Sequence, residues 1–120
     1  MMSMIPTGSI CFFGTKDLER THSFYSGLLG LELWKDQKVC RIYGIPGGGM
    51  IGFCKHMEVT ALDKSPIITL LFDNVDLVFR RISGEGYEVK SEPKCNEKFG
   101  IYHFFLKDPN GYTVEIQRFL

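Results

Sequence analysis

Apolar and polar positions along the chain change period several times, and each change marks an element. Ser9 to Thr15 is an apolar, aromatic-rich run that reads as a strand. After it, Leu18, Thr21, Tyr25, Leu28 and Leu29 recur at helical spacing, which predicts a helix opened by Asp17 as N-cap and closed by Gly30. Three short strands follow, at 31–35, 38–44 and 50–55, with Pro46-Gly47-Gly48-Gly49 as a turn. The pattern then starts again. Pro66 to Phe72 reads as a strand, and Asn74 opens a helix whose inner face carries Val75, Val78, Phe79 and Ile82. Gly84 and Gly86 end that helix, and strands are expected at 87–91, 101–107 and 112–119. Asp108-Pro109-Asn110-Gly111 joins the last two as a tight hairpin.

The order is therefore β-α-β-β-β twice. Asp17-Leu18-Glu19 answers Asn74-Val75-Asp76, and Gly30-Leu31-Glu32-Leu33 answers Gly86-Tyr87-Glu88-Val89. An internal repeat of this length constrains architecture more than any single propensity. The expected fold class is α+β: one domain over 1–120, with a module at 9–56, a linker at 57–65 and a module at 66–120. Two βαβββ modules would form a curved mixed sheet, helices outside and a concave pocket inside.

Composition narrows the function classes. Hydrophobic residues make up 44% and charged residues 23% of the chain, as in globular proteins. Fourteen basic residues balance fourteen acidic ones without a cationic run, so nucleic acid is not an expected partner. No apolar stretch is long enough to cross a bilayer, and Met1 to Pro6 lacks the pattern of a signal peptide, so a cytoplasmic location and no membrane partner are expected. Cys11, Cys40, Cys54 and Cys95 form no C-x-x-C pair and read as structural thiols rather than as a disulfide framework or zinc site. The triple glycine at 47–49 precedes a strand and lacks a P-loop lysine, so it reads as a hairpin turn and not a phosphate cradle.

Particular residues carry a family resemblance. Lys16-Asp17-Leu18-Glu19-Arg20, Phe24-Tyr25 and Leu28-Leu29-Gly30-Leu31-Glu32-Leu33 resemble the first module of glyoxalase-type proteins. Phe105-Leu106-Lys107-Asp108-Pro109-Asn110-Gly111-Tyr112-Thr113-Val114-Glu115-Ile116 resembles the closing hairpin of the glyoxalase I-like members. The family is the glyoxalase/bleomycin resistance/dioxygenase (vicinal oxygen chelate) superfamily, and the similarity runs from Ile10 to Gln117.

Strand alternation gives two faces independently of the family. Val114 and Ile116 should lie under a helix, leaving Thr113, Glu115 and Gln117 on the concave side. By the same reading Cys40 and Ile42 lie under a helix, and Arg41 and Tyr43 in the concavity. The first strand is apolar on both faces, so alternation does not orient it. The resemblance implies that Ile10, Phe12 and Gly14, then Ile67, Thr69 and Leu71, then His103 and Phe105, face inward.

In metal-dependent members, four side chains hold a divalent ion. The resemblance carries those positions onto Ile10, Ile67, a place at or beside Gly52, and Glu115. Only Glu115 offers a donor atom, so no metal or other cofactor is expected, and a divalent ion would require a different ligand alignment. Glu115, aided by His103, is the candidate catalytic pair: a carboxylate in an apolar cup is a base or an anchor for a cation. The structural alternative is a former ligand neutralised by Arg41, His103 or both. Ile10, Phe12, Arg41, Tyr43, Ile67, Thr69, Phe105 and Gln117 are the candidate ligand-binding residues, while His22 and His56 read as surface residues. The expected function is metal-independent binding of a small hydrophobic or aromatic molecule. The alternative is a glyoxalase-like lyase or isomerase, or a dioxygenase-type enzyme, using Glu115 as acid/base. A homodimer is expected, since resembling proteins pair their cups.

Overall fold

A computed structural model describes residues 4–63, 65–89 and 91–120. They form two compact units, Met1–Thr60 and Ala61–Leu120, and the division falls within the segment read as a linker. Among the described residues, no helix is long and apolar enough to cross a membrane.

The first unit contains strands β1 (Ile10–Gly14), β2 (Glu32–Asp36), β3 (Cys40–Gly44) and β4 (Met50–Cys54), in the order β1-β4-β3-β2. β1 runs parallel to β4, and the other pairs are antiparallel. β2 carries a bulge at Trp34, because Leu33 pairs with Tyr43 and Lys35 with Ile42. Helix α1 (Leu18–His22) starts where expected: the Asp17 carboxylate accepts a hydrogen bond from the Arg20 amide at 3.0 Å. The single helix read from the sequence changes pitch at Ser23. Ser23–Leu28 is π-helical, and the Leu29 amide donates to the Phe24 carbonyl five residues back. Ser26 and Gly27 are weak helix formers in this stretch, and Phe24 and Tyr25 are both wholly buried there. Gly30 then takes φ +78°, the left-handed turn that closes the segment.

The second unit repeats the plan with β5 (Ile67–Leu71), β6 (Lys94–Asn96), β7 (Ile101–Lys107) and β8 (Thr113–Phe119), in the order β5-β8-β7-β6. Again the first strand is parallel to the last, and the remaining pairs are antiparallel. Helix α2 (Val75–Gly84) is capped by Asn74, whose side chain accepts from the Leu77 amide at 3.0 Å. It lies on β7 and β8, with Val75 and Ile82 buried and the Phe79 ring edge-on to Phe104 at 5.3 Å. The hairpin before β8 is held by Asp108, whose carboxylate accepts from the amides of Asn110 and Tyr112 at 2.8 and 2.9 Å.

One strand of the second unit differs from the sequence reading. Around 87–91 the described residues contribute only a single bridge, Val89 to Leu106, and Lys90 of that segment lies outside the described residues. The strand paired to β7 is instead the three-residue β6, which lacks the apolar alternation that marks longer strands.

Candidate functional site

In the second unit α2 covers one face of the sheet, and alternation sends Ile67, Ile101, His103, Phe105, Glu115, Gln117 and Phe119 to the other. These residues, with Asn96 and Phe99 from β6 and the loop after it, line a groove of about 540 Å³. Its floor is buried and polar: His103, Glu115 and Gln117 are each only 7–8% exposed. Its walls are apolar and open, with Ile67, Phe99, Phe105 and Phe119 all exposed.

Strand register brings the polar floor together. Glu115 lies opposite Thr69 on one side and Phe105 on the other, while His103 lies opposite Gln117. One Glu115 oxygen accepts from the Thr69 hydroxyl at 2.7 Å, and the second meets His103 Nδ1 at 2.6 Å. The contact between Nδ1 and the carboxyl group fixes the orientation of the imidazole ring. The His103 ring also packs edge-on against Phe105 at 5.1 Å. This is a buried carboxylate–imidazole pair on rigid strands, under an apolar rim. Chemically it can anchor a polar or cationic group or exchange a proton with one.

Five of the expected site residues, Ile67, His103, Phe105, Glu115 and Gln117, thus line one groove, and Thr69 holds Glu115 from beside it. Asn96, Phe99, Ile101 and Phe119 were not anticipated. Ile101 and Phe119 share parity with His103 and Gln117, so alternation carried their signal. Asn96 and Phe99 depended on the short β6, which left none.

In the first unit Ile10, Phe12 and Gly52 lie on the face away from α1. The Phe12 ring sits so close to Gly52 that a Cβ there would come within 2.6 Å of it. Phe12 pairs with Gly52 as Thr69 pairs with Glu115, two residues beyond Ile10 and Ile67 respectively. The repeat thus places Gly52 at the counterpart of Glu115 itself.

Strand β3 has the reverse orientation to the one read from its polarity. Tyr43 and Arg41 face α1, whereas Ile42 lies beside Gly52 on the opposite face. Tyr43 is wholly buried, which pushes its phenol above the usual tyrosine range, and its hydroxyl meets His22 Nδ1 at 2.9 Å. Arg41 pairs with Glu19 of α1 and, at 3.7 Å, with Asp36. The Glu19 hydrogen bond raises the guanidinium further, and the guanidinium in turn lowers the Glu19 carboxyl. Arg41 and Tyr43 therefore pack against the helix of their own unit, and Glu115 is hydrogen-bonded by His103 and Thr69. Their polar tips find partners on the helix, so polarity did not report exposure. His22 is likewise a bonded, half-buried residue instead of a free surface one.

The cysteines also depart from the expectation of free thiols. Cys40 and Cys54, directly opposite in the β3–β4 ladder, form a disulfide, while Cys11 and Cys95 are free and exposed.

Two mixed sheets of repeated βαβββ order, each with a helical segment, define a glyoxalase-like α+β fold. The family model for the Glyoxalase/Bleomycin resistance protein/Dioxygenase superfamily matches residues 9–116, and the chain belongs to that superfamily. Among solved structures, it is similar to a glyoxalase/bleomycin resistance protein/dioxygenase from Nocardioides, with TM-score 0.72 and 19% identity over 99% of this chain and 87% of that one. A possible glyoxalase from Bacillus cereus superposes with TM-score 0.75 at 18% identity, covering 94% of this chain and all (100%) of that one. TioX from Micromonospora sp. ML1 gives TM-score 0.76 at 16% identity, covering 96% and 100%. At these identities the structures share the fold. No curated protein sequence matches the chain.

Proposed function

We propose that this protein binds a small, flat, apolar molecule bearing a cationic or hydrogen-bonding group, in the groove of its second unit and without a metal ion. The observation that carries the reading is the Glu115–His103 pair, 2.6 Å apart on a buried floor beneath walls of Ile67, Phe99, Phe105 and Phe119. Aromatic walls suit a planar ligand, and a few convergent polar groups suffice to orient it.

The donor set supports the metal-free part. Of the positions that hold the ion in metal-dependent members, Ile10 and Ile67 contribute hydrocarbon and Gly52 has no side chain. The remaining donor, Glu115, already has both oxygens engaged by Thr69 and His103. These residues do not fit a divalent ion there.

A screen of aromatic amines and other flat metabolites by thermal shift should find ligands that raise the melting temperature by mass action. Glu115→Gln should then weaken a cationic hit by about 2–5 kcal/mol, at least roughly thirtyfold, because a desolvated charge loses its partner. An affinity unchanged by that substitution would discard the role given to Glu115.

A second reading, a glyoxalase-like lyase or isomerase, is favoured by the same 2.6 Å contact, since a carboxylate-oriented imidazole is also an acid/base device. Turnover of a bound ligand that is lost in both Glu115→Gln and His103→Gln would select it over simple binding.

A further inference from the structure

The first unit carries a cluster of soft donors that the groove does not use. Register places Cys40 of β3 opposite Cys54 of β4, with Cα atoms 4.1 Å apart. Beyond β4 the chain turns sharply: the Lys55 amide donates to the Val39 carbonyl at 2.8 Å, and the Met57 amide to the Cys54 carbonyl at 3.4 Å. That turn brings His56 back over the strand pair, so that its Nδ1 lies 3.8 Å from Cys40 Sγ. The three donor atoms all fall within 4.8 Å of one another. Cys40 and Cys54 are buried, at 6% and 2% exposed, and His56 stands at the surface.

We propose that Cys40, Cys54 and His56 form a redox-gated zinc site, shut while the disulfide stands and able to take one zinc ion once a thiol reductant has cleaved it. A tetrahedral zinc ion with bonds of about 2.0–2.3 Å sets its donors roughly 3.5–3.8 Å apart. The observed sulfur-to-imidazole distance of 3.8 Å already lies at that spacing. The two sulfurs must separate and His56 must settle between them within the 4.8 Å that already spans the three donors, by side-chain rotation on strands that their ladder keeps in place. Two thiolates and an imidazole are a borderline-soft set suited to zinc, and the exposed His56 side leaves the fourth position to water.

The chemistry balances in two steps. A dithiol reductant gives two electrons and two protons to the Cys40–Cys54 bond, producing two thiols here and a disulfide in the reductant. Zinc then displaces both thiol protons, forms two Zn–S bonds and takes the His56 nitrogen lone pair. In the oxidised chain neither sulfur is a thiolate, so the strong donors are missing. The inference concerns residues of the first unit and stands apart from the proposed function of the groove.

The test uses the full chain carrying Cys11→Ser and Cys95→Ser, which removes the two exposed free thiols. One sample is left oxidised. The other is reduced with a phosphine, which becomes the phosphine oxide with an oxygen from water, and is desalted without air. Titration with Co²⁺ should give thiolate-to-cobalt and tetrahedral d–d bands in the reduced sample alone, saturating at one equivalent and erased by Zn²⁺. His56→Ala, at an exposed turn position, should lower zinc affinity at least about tenfold through loss of one ligand. Zn²⁺ should raise the melting temperature of the reduced parent only. A reduced protein without the cobalt bands, equal binding by the oxidised protein, or an affinity untouched by His56→Ala would each overturn the proposal.

Discussion

Phe53→Ala is expected to lower the unfolding free energy by about 3–5 kcal/mol, the cost of emptying a large aromatic site in a closed core. Phe53 has no exposed surface. Its ring stacks on Tyr25 at 4.6 Å and on Phe13 at 5.8 Å, and meets Tyr43 edge-on at 6.4 Å. The substitution therefore removes the stack of β4 on Tyr25 of the helical segment and also loosens the Tyr43 ring, whose hydroxyl is bonded to His22. Domains of this size hold a net stability of about 5–15 kcal/mol, so the loss is a large part of the whole. Phe53→Leu keeps most of the volume and should cost less than about 1.5 kcal/mol. Urea unfolding of the three proteins measures both differences, and a loss near zero for the alanine variant would mean that this aromatic cluster does not hold the first unit.

Gly14→Ala should cost about 3 kcal/mol, the upper end of what overpacking does, because the atoms in the way are backbone. A Cβ at Gly14 would press on the Glu58 carbonyl group and lie within 2.6 Å of the Met57 carbonyl oxygen. Neither can yield without moving the turn after β4 that carries His56. Gly52→Ala meets a different obstacle. There the added methyl presses on the Phe12 ring, a side chain 42% exposed that can swing toward solvent. Its cost should stay below about 1.5 kcal/mol. Thermal melts of the two variants side by side check the contrast, and equal losses would contradict it.

How much of this could be read from residues alone follows from where each signal resides. Asp17 and Asn74 announced their helices because an N-cap side chain acts locally, bonding an amide three residues on. The parity of Val114 and Ile116 against Glu115 and Gln117 oriented β8, since one face was apolar and the other polar. That rule failed on β3. Arg41 and Tyr43 are polar at the tip, but their partners Glu19 and His22 lie on a helix some twenty residues away, and no local pattern reports such a pairing. The Cys40–Cys54 bond was hidden for the same reason: it needs the β3–β4 register, which the turn at 45–49 sets and spacing alone does not. β6 was missed because three residues, Lys94-Cys95-Asn96, are too few to show a period. Of the site itself, the buried carboxylate and histidine were legible, and the aromatic wall from Phe99 was not.

The groove above Glu115 and His103 is proposed to bind its ligand without a metal ion. The direct measurement is a calorimetric titration of the best thermal-shift ligand into chelator-treated oxidised protein, with metal content determined on the same sample. Metal far below one equivalent is expected, with the same affinity before and after chelation, weakened by Glu115→Gln. Close to one equivalent of divalent metal in the untreated protein, absent from Glu115→Ala and required to restore binding after chelation, would contradict it.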